Sequence, residues 1–252
     1  MYTIVLATQK GGSGKSTLAI GLALAAIQAE HTVRLIETDS QATLSNWQTR
    51  RPYAEPMVEP VYSAGEIDQR LQSLDRSGVT MTIIDTAGGV SAATTAAIRH
   101  ADLCLIPTRP SVADIEATAP TLSIIRAWNK PFAFVLNQTP IRGRRVSNAA
   151  TVLGEEAAYD GSGLLALPYI VMRNDHQDAL GLGLAVVEYA PSGKSADEVR
   201  ALWQWVETKL NAGVTADEQP AVGDLAASPD VDPSIFLETP AETTAVVSWS
   251  GF

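Results

Sequence analysis

Cysteine, histidine and lysine are scarce in this chain, with one, three and five copies among 252 residues. The single Cys104 excludes an internal disulfide framework and a cysteine-rich metal centre. Within Asp102-Leu103-Cys104-Leu105-Ile106-Pro107 it reads as a small buried hydrophobe. His31, His100 and His176 have no ligand spacing, which argues against an imidazole–metal site. Also lacking are an apolar run long enough to span a bilayer and a basic leader followed by an apolar core. No basic amphipathic stretch closes the chain, so no membrane partner is expected and the protein is expected to be cytoplasmic.

Basic residues are absent from the last forty positions, which hold seven acidic ones: Asp217, Glu218, Asp224, Asp230, Asp232, Glu238 and Glu242. The net charge of −10 is therefore uneven, and residues 1–212 carry 21 acidic and 18 basic groups. A nearly neutral domain can still carry a local basic patch. The final stretch is also rich in Ala, Val, Thr and Pro without helical period. Residues 213–252 are expected to be a disordered acidic tail, following a single domain over 1–212.

What is present before the tail is an alternation of strand and helix patterns. Short apolar runs predict strands at Thr3–Thr8, Val33–Glu37, Thr80–Asp85, Leu103–Pro107, Phe132–Leu136 and Leu164–Pro168. Helical patterns cover Ser16–Ala29, the region around Ile67–Leu74, Ala92–His100, Ile115–Trp128, Val146–Ala158 and Ala196–Leu210. Together they predict an α/β fold, a doubly wound and mostly parallel sheet with helices on both faces.

The first strand runs into Gln9-Lys10-Gly11-Gly12-Ser13-Gly14-Lys15-Ser16-Thr17, directly before an apolar helix. Strand, glycine-rich loop and helix start are the context in which such a loop cradles phosphate. Gly11, Gly12, Ser13 and Gly14 supply backbone N–H groups. Lys15 reaches the β- and γ-phosphates, Ser16 ligates Mg²⁺ and Thr17 meets the α-phosphate. Glycine is missing at position 9, and a second lysine, Lys10, stands five residues before Lys15. This loop resembles the deviant Walker A motif of the ParA/MinD family of P-loop ATPases. The resemblance implies a nucleotide-sandwich dimer in which Lys10 reaches the phosphates held by the partner, where charge accumulates during phosphoryl transfer. Otherwise Lys10 is a solvated loop lysine.

Further matches follow. Glu37-Thr38-Asp39-Ser40-Gln41 resembles the family's D-x-D-P-Q stretch, with Glu37 and Ser40 departing from it. The resemblance implies that Asp39 is the carboxylate near the attacking water and the outer metal shell. Alternatively, Asp39 or Ser40 caps the next helix. Asp85 ends a clean apolar strand and looks like a Walker B acid holding Mg²⁺ through water, or else a cap for the helix starting near Ser91. After it the family commonly has D-T-P-P, whereas this chain has Thr86-Ala87-Gly88-Gly89. Asn137 closes another strand, where family members use an amide to read adenine. The guanine signature N-K-x-D is absent, so ATP is favoured.

The likeness extends to Leu167-Pro168, Arg173, Ala179, Gly181 and Val186-Val187-Glu188-Tyr189. In many relatives late basic residues bind DNA without sequence preference. Here the candidates are Arg142, Arg144, Arg145 and Arg173, against the alternative of a solvated loop pairing with Glu155 or Glu156. The resemblance thus implies a slow Mg²⁺-dependent ATP hydrolase with catalytic Lys10, Lys15 and Asp39. ATP closes a homodimer that holds DNA, nucleoid-associated in that state, and a stimulating partner protein releases it. Accessory action in T-DNA or conjugative transfer fits the same residues. A carboxylate-activating enzyme like dethiobiotin synthetase, or a non-hydrolysing scaffold, is the reading from another class.

Overall fold

The computed structural model describes residues 1–159, 161 and 163–212. The expected acidic tail, 213–252, lies outside the described residues. Seven parallel strands form one sheet in the order β3-β2-β4-β1-β5-β6-β7. They are β1 (Tyr2–Leu6), β2 (Val33–Glu37), β3 (Met57–Pro60), β4 (Met81–Asp85), β5 (Leu103–Thr108), β6 (Phe132–Leu136) and β7 (Gly163–Leu165). The central strands are mostly apolar and almost wholly buried because both of their faces are covered. Ile4, Leu6, Leu35, Ile83, Leu105 and Val135 enter one core, while Val5, Ile36, Ile84, Cys104, Ile106 and Phe134 enter the other.

On the first face lie α1 (Lys15–Gln28), α2 (Thr43–Arg50), α9 (Val186–Tyr189) and α10 (Lys194–Ala212). The second face is covered by α3 (Ala64–Arg76), α4 (Ala92–His100), α6 (Ala119–Ala127) and α7 (Arg144–Ala158). The short α5 (Val112–Glu116) precedes α6, and α8 (Asn174–Gly181) precedes α9. The helix predicted over 115–128 is therefore two helices, broken by Ala117 and Thr118, with Pro120 in the first turn of α6. Proline is tolerated there because its missing N–H would have no intrahelical partner.

The topology decides where the site sits. From β1 the chain winds out to β2 and β3, returns to β4 beside β1, and then leaves on the other side through β5. The strand order reverses around β1, so its C-terminal end opens into a crevice between β4 and β5. In-register pairing sets Leu6 beside Asp85 and Asp85 beside Glu37. Two carboxylates thus stand next to the start of the loop that leaves β1.

Candidate nucleotide-binding site

The loop after β1 is shaped by its glycines. Gly12 and Gly14 have φ of +74° and +90°, a region that a side chain would strain. At Gly14 an added Cβ would also lie 2.3 Å from Asn137 Nδ2. Helix α1 then starts at Lys15 with no side-chain cap and no acidic residue in its first turn. Its leading N–H groups and the positive end of its dipole therefore face the crevice without a side-chain acceptor, the environment an anion needs. Lys15 is 7% exposed. Burial pulls its pKa down, opposed by the neighbouring charges of Asp85 and Asp39. The departure Ala87-Gly88-Gly89 also has a geometric role. A Cβ on Gly88 would sit 3.3 Å from the Gln9 carbonyl oxygen, so this segment packs backbone to backbone against the phosphate loop.

Asp85 is buried, and neither carboxylate oxygen has a hydrogen-bond partner of normal geometry. Burial pushes its pKa up to about 7, while the nearby Ser16 hydroxyl and Lys15 pull the other way and Glu37 and Asp39 add repulsion. An orphaned buried carboxylate beside a hydroxyl suits a hard cation, which Asp85 and Ser16 would hold through oxygen and water. Such a cation supplies charge neutralisation to phosphate oxygens. Holding it requires ionised Asp85, so binding displaces a proton below pH 7. The affinity for Mg²⁺-nucleotide is expected to fall as pH drops below about 7, by up to roughly tenfold per pH unit, and to level off above it. Calorimetric titrations of wild type and Asp85→Asn across this range check it. The difference between the two removes the nucleotide's own titration, and parallel pH profiles would refute the assignment.

Neither Asp39 nor Ser40 caps α2. The cap is Glu37, whose carboxylate accepts from the Leu44 N–H at 2.6 Å, the Ser45 N–H at 3.2 Å and the Ser45 hydroxyl. The substitution at Glu37 thus places a longer acid where it reaches the helix start and leaves Asp39 out of that role. Asp39 is half-buried at the crevice rim, its carboxylate accepting the Gln41 N–H at 2.9 Å. Asp85 does not cap α4 either, because Ser91 accepts the Thr94 N–H at 3.0 Å.

The Asn137 amide is engaged within the chain at both ends. Its Nδ2 donates to the Ser13 carbonyl at 2.7 Å, and its Oδ1 accepts the Gln138 N–H at 2.9 Å. Gln138 Nε2 donates to the Gly12 carbonyl at 2.9 Å. The amide pair thus braces the phosphate loop. Beside it opens a cavity of about 210 Å³ walled by Thr17, Asn137, Gln138, Met172 and His176. Arg173 also borders it, but its guanidinium pairs with Glu198 of α10.

The other arginines behave differently. Arg142, Arg144 and Arg145 are exposed at the start of α7 and make no ion pair among the described residues. Glu156 pairs with Arg126 at 2.8 Å instead of with them. Lys10 is not simply solvated. Its Nζ lies 3.1 Å from Asp114 Oδ2, and Arg109 Nε meets the other oxygen at 2.8 Å. Asp114 and Arg109 were not legible as site residues. The pattern Ser111-x-x-Asp114 marks a helix start, and nothing local ties it to a loop a hundred positions earlier.

A model of the CobQ/CobB/MinD/ParA nucleotide-binding domain matches residues 4–202. The chain belongs to this family. Within it, the maintenance of carboxysome distribution protein A of Gloeobacter kilaueensis is 33% identical over 209 residues, covering 80% of this chain and 90% of that protein. Its namesake from Halothiobacillus neapolitanus is 26% identical, covering 80% and 94%. Among solved structures, an ATP complex of a Cyanothece McdA variant superposes with a TM-score of 0.65 at 16% identity, covering 84% of this chain and 96% of that one. Pyrococcus horikoshii MinD with Mg-ADP gives 0.64 at 16% identity, covering 86% and 99%. At such identity the structural likeness shows the family's fold. Among the described residues no helix is long and apolar enough to cross a membrane.

Proposed function

We propose that this chain is an Mg²⁺-dependent ATPase of the ParA/MinD kind whose nucleotide state controls a homodimer. The observation that carries the reading is the loop itself, a complete phosphate cradle ending in buried Lys15 with a second lysine five residues earlier. Lys15, Ser16 and Thr17 would hold the phosphates, Ser16 and Asp85 the cation. Asp39, free of capping duty, would orient the attacking water. Lys10 would leave its own subunit's surface and neutralise charge on the partner's phosphates, so dimerisation and hydrolysis are linked. Slow turnover follows from a site that is complete only in the closed pair.

In the dimer Arg142, Arg144 and Arg145, unpaired among the described residues, would occur twice. Weak phosphate contacts then add, giving DNA binding without sequence preference only in the ATP state. A partner protein that stimulates hydrolysis would release it, and the cycle would position a cargo. The relatives named for carboxysome distribution support a positioning role. Sedimentation with Mg-ATP, Mg-ADP or no nucleotide, repeated with random-sequence duplex DNA, tests the proposal. A monomer that becomes a DNA-bound dimer only with ATP is expected. One oligomeric state under all conditions, with no DNA binding, would overturn it in favour of a metabolite-activating enzyme or a scaffold.

A further inference from the structure

The phosphate-loop lysine that the proposed function sends across the dimer has a different occupation in the single chain. Asp114, in the first turn of α5, is nearly buried and has both oxygens engaged. Oδ2 accepts from Lys10 Nζ at 3.1 Å and from the Ser111 hydroxyl, and Oδ1 accepts from Arg109 Nε at 2.8 Å. The Ser111 hydroxyl in turn accepts the Asp114 N–H at 3.2 Å, which fixes the carboxylate at the helix start. Hydrogen bonds from Ser111, Arg109 and Lys10 outweigh burial and keep the carboxyl below its ordinary range. Two cations therefore share one anion.

The asymmetry between the two cations is informative. Arg109 leaves β5 and is only five residues from Asp114, on the same connection. Lys10 belongs to the nucleotide loop, and its ammonium is the movable member. A buried carboxylate stripped of its only cation is costly, but one that keeps a guanidinium on its second oxygen is not. We propose that Asp114 is a positioning residue that parks Lys10 in its own subunit, and that Arg109 remains on Asp114 to lower the cost of releasing it. Parking opposes closure, so the dimer forms only when bound triphosphate offers Lys10 more than Asp114 does. This rests on the reading that Lys10 acts in the partner's site.

Asp114→Asn removes the charge at nearly constant shape. Sedimentation across ATP concentrations is expected to show its dimer forming at roughly a hundredfold lower protein concentration than wild type, because each of the two subunits is spared the loss of one charge-assisted hydrogen bond worth about tenfold. Arg109→Gln should act oppositely, weakening the dimer by a similar factor, and Asp114→Asn should cancel that loss in the double variant. That cancellation is a coupling that general damage to α5 would not produce. Mg-ADP affinity reports whether each monomer's site is intact. A dimer weakened by Asp114→Asn with normal Mg-ADP affinity would overturn the parking role. Should Asp114→Asn fail to fold, a dimer left unchanged by Arg109→Gln would overturn the proposal. If Lys10→Ala alone left the ATP-dependent dimer intact, the underlying reading would fall instead.

Discussion

Lys15→Ala is expected to abolish nucleotide binding. Lys15 is nearly buried at the head of α1, within the influence of Asp85 and Asp39. Phosphate would give this ammonium short charge-assisted bonds in a site sheltered from water, where each is worth more than in solution. Alanine also leaves Asp85 without the positive neighbour that favours its ionised form, so the cation is lost along with the phosphate. Losing one partner of a buried charge pair costs about 3–5 kcal/mol, more than a hundredfold in affinity. Calorimetry with Mg-ATP measures this. The apo fold should survive, because a cation whose desolvation outweighs its attractions is not a stabilising element. A folded variant with ordinary ATP affinity would remove Lys15 from the site.

Lys10→Ala is expected to separate binding from assembly. The variant should hold ATP with near-normal affinity in its own cradle, because Lys10 points to Asp114 rather than into the loop. Its ATP-dependent dimer should disappear, and stimulated turnover should fall by about a thousandfold or more, the scale for a cation supplied in trans to phosphoryl transfer. Arginine is not a faithful replacement, since a planar fork differs from a compact ammonium in reach and hydration. Analytical ultracentrifugation paired with single-turnover hydrolysis reads both effects. An unchanged dimer together with unchanged turnover would return Lys10 to the role of a surface lysine.

The central architecture was legible because burial on both faces writes itself into composition. β1, β2, β4, β5 and β6 are mostly apolar and almost wholly buried, and the loop after β1 carries its chemistry in consecutive residues. β3 escaped notice because it is an edge strand of four residues ending in proline, with alternating exposure. Helix α2 escaped because only Leu44 and Trp47 of its eight residues are buried. The single helix expected over 115–128 failed at Thr118, where a proline that follows begins a new helix instead of interrupting one. Within the site, Lys15 and Asp85 were readable from local pattern alone. Glu37 as the α2 cap, Asn137 and Gln138 as braces, and Asp114 as the partner of Lys10 depend on which strand ends the sheet order brings together. That information is long-range, and no window of residues contains it.

The brace from β6 has a thermodynamic consequence. Asn137 and Gln138 pin the carbonyls of Ser13 and Gly12 toward β6. In a trans peptide the N–H points opposite to the C=O, so the amides of Gly14 and Ser13 are turned the other way before any ligand arrives. The loop's conformational freedom is surrendered during folding rather than during capture. Nucleotide therefore meets a preorganised receptor. Cutting the brace by Asn137→Ala would shift that ordering cost onto the binding step, where it would appear as an entropic penalty in the calorimeter with every phosphate contact still chemically possible.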